Sequence, residues 1–167
     1  FESEEAHGWT RERLGKVCEI QLGKMLSPKS KTGANSFPYM RNANVQWNRI
    51  DLSEVFVMDF DERERTKFEL RAGDLLVCEG GEPGRAAVWE GQISPCYYQK
   101  ALHRLRPLNN QVDPYFVMYR LWLGGLTGEF AGEHAQTTIA HLPAIRLANV
   151  EIPVPPLKEQ LAITEHL

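Results

Sequence analysis

Two kinds of hydrophobic pattern run along the chain, and together they predict a fold that mixes strands and helices. The segment "GDLLVCEGG" (73–81) is a continuous apolar run of strand length, and "RAAVWEG" (85–91) follows it after a short Gly/Pro loop. Two strands joined so briefly predict an antiparallel hairpin. "GKVCEI" (15–20) predicts another strand. "CYYQKALHRLRP" (96–107) predicts a long strand with polar groups on both faces, which favours a sheet edge.

Two segments carry helix signals. In "DPYFVMYRLWLGG", Asp113 is a typical N-cap, Pro114 suits the first helical position, and Gly124 with Gly125 marks the stop. This helix is apolar nearly all round, which predicts burial. A second helix is predicted to begin at Leu157, after the prolines of "IPVPP". Helices shorter than about 12–15 residues are marginal in water, so this one requires a partner or a continuation.

Asp61 and Glu64 have the spacing of a capping box and predict a brief helical turn at "ERERTK". Together with the strands, these elements predict a mixed α/β (α+β) class. We expect a small, largely antiparallel twisted sheet or partial barrel with a few helices.

Composition narrows the class of protein. The chain has 167 residues, which suits one domain with a connector, and no apolar run approaches the roughly 20 residues of a membrane span. The cysteines, Cys18, Cys78 and Cys96, are odd in number and form no CxxC pair. We therefore expect neither disulfides nor a zinc site, no metal and no cofactor, and a cytoplasmic location.

Charge is segregated along the chain although its net value is only -3. Residues 20–50 contain five lysines and arginines and no acid, whereas residues 51–64 contain six acids and one arginine. A second acid-free stretch, 91–112, contains further basic residues. Such segregation favours a basic face that a phosphate backbone could contact, although a chance run of solvated lysines is an equal alternative.

No catalytic motif is present. The glycines of "CEGGEPGR" precede a predicted strand, whereas a phosphate-binding loop requires a helix N-terminus there. "VPPL" has Val154 where a methyltransferase tetrapeptide has Asn or Asp, and no GxSxG motif occurs. We therefore expect that the chain is not an enzyme by itself.

Four segments resemble the specificity subunits of Type I restriction-modification systems, in the same order and at similar spacing. These segments are "GWTRERLGKVCEI", "LRAGDLLVCEGGEPGRAAVW", "QKALHRLRP" and "TTIAHLPAIRLANVEIPVPPLKEQLAI". "TTIxHL" followed by "IPxPPLxEQ" is the most specific combination. The family often has a proline before "GW", where this chain has His7.

The resemblance implies a target recognition domain, a non-catalytic module of bacterial or archaeal defence that reads one half of a bipartite DNA site. It implies an organisation of residues 1–8 as a linker or disordered segment, 9–155 as the DNA target recognition domain and 156–167 as the beginning of a spacer (coiled-coil) helix. The implied partners are double-stranded DNA, the methyltransferase (modification) subunits with the restriction subunits that they accompany, and a second recognition domain or spacer helix, which homodimerisation could supply.

The candidate DNA contacts follow from residue chemistry within that resemblance. Lysines suit phosphate, whereas arginine and amide side chains can pair with guanine or adenine edges. For Asn42 and Asn44, turn formation is an equal alternative. The expected phosphate contacts are Lys24, Lys29, Lys31 and Lys100. The expected base contacts are Arg41, Asn42, Asn44, Gln46 and Arg85.

The "TTIAHL" segment has two interpretations. Thr137, Thr138 and His141 could contact a phosphate, or the threonines could cap a short turn with His141 in a structural role. On the last helix, Leu157, Leu161 and Leu167 are expected to contact a partner helix.

Two other functions compete with DNA recognition. The chain could be a protein-binding adaptor, or a recognition appendage of a fused DNA methyltransferase. The DNA hypothesis makes a geometric prediction: Lys24, Lys31, Arg41, Arg85 and Lys100 should lie on one concave side.

Overall fold

A computed structural model describes residues 8–131 and 141–167. Within these ranges the chain forms eleven strands, five α-helices and two short 3-10 helices. The strands are β1 (Thr10–Arg13), β2 (Cys18–Leu22), β3 (Ser36–Met40), β4 (Val45–Gln46), β5 (Arg49–Ile50), β6 (Phe56–Asp59), β7 (Leu75–Cys78), β8 (Ala86–Val88), β9 (Tyr97–Tyr98), β10 (Leu102–Pro107) and β11 (Glu151–Val154). The α-helices are α1 (Leu14–Val17), α2 (Glu62–Phe68), α3 (Pro114–Leu126), α4 (Ala144–Ala148) and α5 (Leu157–Thr164), and the 3-10 helices span Pro28–Lys31 and Asn42–Asn44.

A four-stranded antiparallel sheet, ordered β2-β10-β7-β8, divides the hydrophobic core in two. Strand β7 contributes to both halves, because successive side chains of a strand point to opposite faces. Leu75 and Val77 lie in one half, and Leu76 and Cys78 lie in the other. Both faces of β7 are covered, which explains why its sequence is continuously apolar. The predicted hairpin of β7 and β8 is confirmed.

Different layers cover the two faces of this sheet. Helix α3 and the short α4 contribute to the first half of the core. A three-stranded sheet, ordered β6-β3-β9, covers the second half, with β3 antiparallel to β6 and parallel to β9. The predicted mixture of helices and largely antiparallel sheet is confirmed, and the described strands form no closed barrel.

Local signals fix the first turns of two helices as the sequence predicts. The Asp113 carboxylate accepts the Phe116 N–H at 2.9 Å, and Pro114 opens α3. The helix continues through Gly124 to Leu126, rather than stopping at the glycines. In α2, Asp61 accepts the Glu64 N–H at 2.8 Å and Glu64 accepts the Asp61 N–H at 2.9 Å, which confirms the capping box.

The prediction of one long edge strand over 96–107 is wrong. Strands β9 and β10 lie in different sheets, separated by a turn in which Ala101 has a φ of 99°. β10 lies inside its sheet, between β2 and β7, and distant groups pair with part of its polar side chains, whereas the His103 Nδ1 and the Arg104 Nε are buried without a hydrogen-bond partner among the described residues. The His103 Nε2 lies 2.8 Å from the Leu142 carbonyl oxygen, and Arg104 forms an ion pair with Glu19 at 2.6 Å.

The strand predicted over 15–20 is only partly present. Residues Leu14–Val17 form one helical turn, and the chain becomes extended at Cys18. Leu14 and Val17 are both buried, and a spacing of three residues places both on one side of a helical turn.

The two ends of the described chain meet at a small sheet of β1 and β11. Helix α5 follows directly and is held to the body by Gln160, which is fully buried. Its amide nitrogen donates to the carbonyl oxygens of Gln111 and Pro155 at 2.9 and 2.8 Å, and its amide oxygen accepts the Asp113 N–H at 2.8 Å. Trp9 also donates to Glu159 at 2.9 Å.

In the two described ranges, no helix has the length and apolar character needed to cross a membrane. The same residues contain no group of three or more His, Cys, Asp or Glu side chains that could hold a metal ion. All three cysteines are buried and free.

Candidate nucleic-acid interface

Two of the candidate lysines lie on an exposed loop between β2 and β3, residues 25–35, which we name the basic loop. Lys29 and Lys31 lie on its 3-10 helix and are exposed to solvent. Neither forms an ion pair with any described residue. Both ammonium groups are therefore free to contact an anion.

Asp59, at the end of β6, holds the basic loop in its conformation. Its carboxylate accepts the backbone N–H groups of Thr32, Gly33 and Asn35 at 2.8, 3.0 and 3.2 Å. The hydroxyl groups of Thr32 and Ser36 also donate to it. These hydrogen bonds, that of the Thr32 hydroxyl foremost, lower the pKa of Asp59 to about 2.

Lys24 is buried at the base of the same loop. Its ammonium group donates to the Asp59 carbonyl oxygen at 2.5 Å and to the Glu64 carboxylate at 2.7 Å. It also lies 4.9 Å from the centre of the Phe60 ring. These contacts give Lys24 a structural role beneath the loop, so we do not include it among the residues that face a ligand.

Lys100 lies next to the basic loop although it is distant in sequence. It is exposed in the turn between β9 and β10, and its N–H donates to the Lys24 carbonyl oxygen at 2.7 Å. The Lys24 N–H donates in turn to the Tyr98 carbonyl oxygen at 3.1 Å. Lys100 also forms no ion pair with a described residue. The fold thus brings three free lysines onto two segments that are directly hydrogen-bonded.

Three of the expected base contacts are used inside the protein. We name Asn42, Asn44 and Arg85 the hairpin cluster. The Arg85 guanidinium donates to the Val45 carbonyl oxygen at 2.7 Å and to the Asn42 side-chain oxygen at 2.9 Å. The Asn42 amide nitrogen donates to the Gly80 carbonyl oxygen at 2.9 Å.

Asn44 is buried and stabilises the turn that begins at Arg41. Its amide nitrogen donates to the carbonyl oxygens of Asp51 and Glu54 at 2.8 and 2.9 Å, and its oxygen accepts the Arg41 N–H at 2.8 Å. The interpretation of Asn44 as a turn residue therefore agrees with its geometry. No polar atom of this side chain is left for a base.

Arg41 and Gln46 remain accessible. The Arg41 guanidinium lies 3.6 Å from the centre of the Phe56 ring and forms a 3.4 Å ion pair with Glu54. Its Nε is buried and has no hydrogen-bond partner among the described residues. Gln46 is half-buried, and its amide nitrogen donates to the Ala43 carbonyl oxygen at 3.0 Å.

A cavity of about 700 Å³ lies between the basic loop and strands β3 and β6. Its lining contains two cations and no acidic residue. Part of this lining is apolar although it is open to solvent, because Phe56 is 43% exposed and Val57 is 63% exposed. The lining includes Leu26, Lys31, Tyr39, Arg41, Phe56 and Gln99.

Of the five basic residues expected on one concave side, Lys31 and Arg41 line this cavity together. Lys100 follows Gln99, which also lines it. Lys24 lies below the basic loop, and Arg85 belongs to the hairpin cluster. The structure therefore brings together part of the expected basic face, and it assigns the remaining members to internal contacts.

Residues 6–167 match the sequence model of one protein family, which is described as Type I restriction modification DNA specificity domain. The chain belongs to this family. The MjaX protein of Methanocaldococcus jannaschii, which is assigned as a type I restriction enzyme specificity subunit, is 25% identical over 170 residues. That match covers 95% of this chain and 38% of the relative.

Solved structures show the same fold for this specificity domain. A chain from a structure of a type I R-M system has a TM-score of 0.69 at 24% identity, covering 95% of this chain and 37% of that one. The HsdS subunit from Thermoanaerobacter tengcongensis has a TM-score of 0.68 at 23% identity, covering 95% and 36%. The chain spans little more than a third of the relatives that it matches.

In this specificity domain, His141 is exposed but paired. Its Nε2 lies 2.6 Å from the Glu79 carboxylate, which is buried. Thr137 and Thr138 lie outside the described residues. Next to the pair, His103 is fully buried, and burial lowers the pKa of its imidazole. A phosphate at His141 would have to compete with the carboxylate of Glu79.

On α5 of the specificity domain, Leu157 and Leu161 are exposed, and Leu167 is exposed beyond Thr164, where the helix ends. Gln160 of the same helix is fully buried and anchors it to the body. The sequence did not reveal the roles of Gln160 and Asp59. Only Gln160 had a possible signal, its place in the "IPxPPLxEQ" motif. The partners of Asp59 are set by the tertiary fold.

Proposed function

We propose that this chain is a DNA-reading domain of a Type I specificity subunit and that it binds duplex DNA through Lys29, Lys31 and Lys100. The observation that supports this most directly is their arrangement: three exposed lysines without ion pairs lie on hydrogen-bonded segments beside a cavity with no acidic residue. Lysines in this state can replace the counterions of phosphates.

Base recognition in this proposal rests on fewer residues than the sequence suggested. Arg41 lines the same cavity as Lys31, Gln46 is half-buried, and both side chains can form paired hydrogen bonds with base edges. The hairpin cluster positions their strands without contacting DNA. Thr137, Thr138 and His141 remain candidate phosphate contacts.

The wider assembly is also part of the proposal. Residues 9–155 would form the recognition domain, and 156–167 would begin a spacer helix whose leucines contact a partner helix. The chain would read one half of a bipartite site, carry out no catalysis, and direct the methyltransferase and restriction subunits to DNA. The partner helix could come from a second recognition domain or from a second copy of the chain.

A salt series on duplex DNA tests the DNA proposal. The logarithm of the binding constant should fall linearly with the logarithm of salt concentration, with a slope of about -0.9 per phosphate contacted. The triple variant K29Q/K31Q/K100Q should reduce that slope by up to about 2.7 in magnitude.

Lys16→Gln and Lys158→Gln remove exposed lysines elsewhere on the protein and should leave the slope unchanged. A binding constant that does not respond to salt would contradict the proposal and would favour the adaptor function. The other alternative is a recognition appendage of a fused DNA methyltransferase. It predicts that any sequence after residue 167 forms a cofactor-binding sheet.

A further inference from the structure

The cavity beside the basic loop has the lining of a binding site that nothing in the preceding proposal requires. Its volume of about 700 Å³ lies within the roughly 300–1,000 Å³ that is typical of small-molecule sites. Lys31 and Arg41 supply positive charge, and no carboxylate lines the cavity, although Glu54 pairs with Arg41 at 3.4 Å from outside the lining. The charge of the site therefore favours an anion.

One wall of the cavity is flat and suited to a planar ring. The Arg41 guanidinium lies over Phe56, 3.6 Å from the ring centre. Phe56 stays 43% exposed in spite of this contact. Nucleobases stack on aromatic rings and on arginine planes, largely irrespective of sequence.

Hydrogen-bonding groups without protein partners accompany this wall. Tyr39 lines the cavity and is only 4% exposed, yet its hydroxyl forms no hydrogen bond with any described residue. Burial raises the pKa of this hydroxyl, partly offset by Arg41, so it stays protonated and can donate. The side-chain amide of Gln99 and the buried Nε of Arg41 also lack partners among the described residues.

We propose that this cavity binds a single nucleotide, with its base against Phe56 and Arg41 and its phosphate on Lys31. An aromatic ring that carries a negative charge matches both the flat apolar wall and Lys31, which has no ion pair with a described residue. Such a nucleotide can be one that has left the stack of bound DNA, or a free nucleotide. The first source rests on the proposed DNA binding, and the second does not.

A DNA duplex with one unpaired nucleotide tests the first source, a nucleotide that has left the stack of bound DNA. The affinity of the protein is measured for a matched duplex and for the same duplex with one unpaired 2-aminopurine nucleotide, because an unpaired base costs least to extract. We expect the bulged duplex to bind on the order of tenfold more tightly, with a change in 2-aminopurine fluorescence.

Two substitutions should abolish this preference. Val57→Glu places a carboxylate in the acid-free cavity at a position that is 63% exposed, and Val57→Gln is its uncharged control. Phe56→Ala removes the stacking ring, and Leu108→Ala, at a position 39% exposed outside the cavity, is its control. The ratio of the two affinities is the readout, so a general loss of DNA binding does not imitate the result.

Free deoxynucleoside monophosphates test the second source, with inorganic phosphate and an uncharged nucleoside as comparison ligands. Saturable binding of the monophosphate that Val57→Glu abolishes would support the cavity even without a preference for the bulge. If the salt-dependent binding of matched duplex persists but neither the bulge nor the monophosphate is preferred, the cavity proposal is overturned and the proposed function stands. If matched duplex fails to bind while the monophosphate binds, only the proposed function fails.

Discussion

The hairpin cluster and the three free lysines both consist of residues for which the sequence predicts DNA contacts, but the fold uses the two groups in opposite ways. Arg85 and Asn44 are mostly or fully enclosed, and their polar side-chain groups bond to backbone carbonyl oxygens or neighbouring side chains. Lys29, Lys31 and Lys100 are exposed and have no ion pair with a described residue. Chemistry that suits a nucleic acid is therefore not sufficient to identify a contact. The decisive property is whether the protein has already satisfied the group.

The difference has an energetic cause. A buried polar group without a partner costs about 1–3 kcal/mol, so enclosed arginine and asparagine side chains are held by hydrogen bonds. An exposed lysine remains hydrated and gains little from a surface ion pair. The first group determines the conformation of the chain, and the second remains available to a ligand.

The largest expected effect on stability comes from breaking the hairpin cluster. Arg85→Met should lower the free energy of unfolding by about 2–4 kcal/mol, because the Val45 carbonyl oxygen and the Asn42 side chain lose their partner. The measurement is the urea midpoint. Lys100→Met, at an exposed basic position, is the matched control and should change the stability by less than about 0.5 kcal/mol. Equal losses in the two variants would remove the distinction between the two regions.

A smaller effect on stability is expected at Asp59, which holds the basic loop in its conformation. Asp59→Asn should loosen the basic loop, because five donors converge on the carboxylate. The pKa of Asp59 in the folded protein is about 2, below the ordinary value of about 3.9. Its contribution is therefore complete above about pH 4 and is lost as the pH falls towards 2.

The stability difference between the parent protein and Asp59→Asn should accordingly shrink from pH 5 to pH 2, measured by urea unfolding at each pH. Lys29→Gln, in the same loop, controls for a change of loop sequence. A difference that does not vary with pH would show that the charge of Asp59 does not hold the loop.

The smallest effect on stability is expected for the triple variant K29Q/K31Q/K100Q. Each lysine is exposed and unpaired, so each substitution should change the free energy of unfolding by less than about 0.5 kcal/mol. Thermal and urea unfolding measure this directly. If the free energy of unfolding instead fell by several kcal/mol, these lysines would have a structural role. Weaker DNA binding by the variant would then reflect unfolding.

The features that the sequence predicts correctly depend on short-range signals. The cap at Asp113, the capping box of Asp61 and Glu64, and the β7–β8 hairpin each involve residues close together along the chain. The break in the strand predicted over 96–107 depends instead on Ala101, whose positive φ is unusual for alanine and has no sequence signal. The position of β10 inside its sheet depends on Glu19, distant in sequence from Arg104.

The candidate site shows the same limit. Lys24 and Lys29 lie in the same acid-free stretch of the sequence, and both are plausible phosphate contacts. Glu64 and the Asp59 carbonyl oxygen distinguish them by enclosing Lys24, and both partners lie more than 30 positions away. The resemblance to specificity subunits identified the family correctly, but it could not separate side chains that face a ligand from those that support them.

Gln160 has one more consequence. Its three hydrogen bonds to main-chain atoms of Gln111, Asp113 and Pro155 prevent α5 from rolling about its own axis. The exposed leucines of that helix therefore keep a fixed orientation relative to the basic loop. Because a neutral amide maintains this orientation, higher ionic strength can weaken the proposed contact with an anion without changing the direction in which the leucines point.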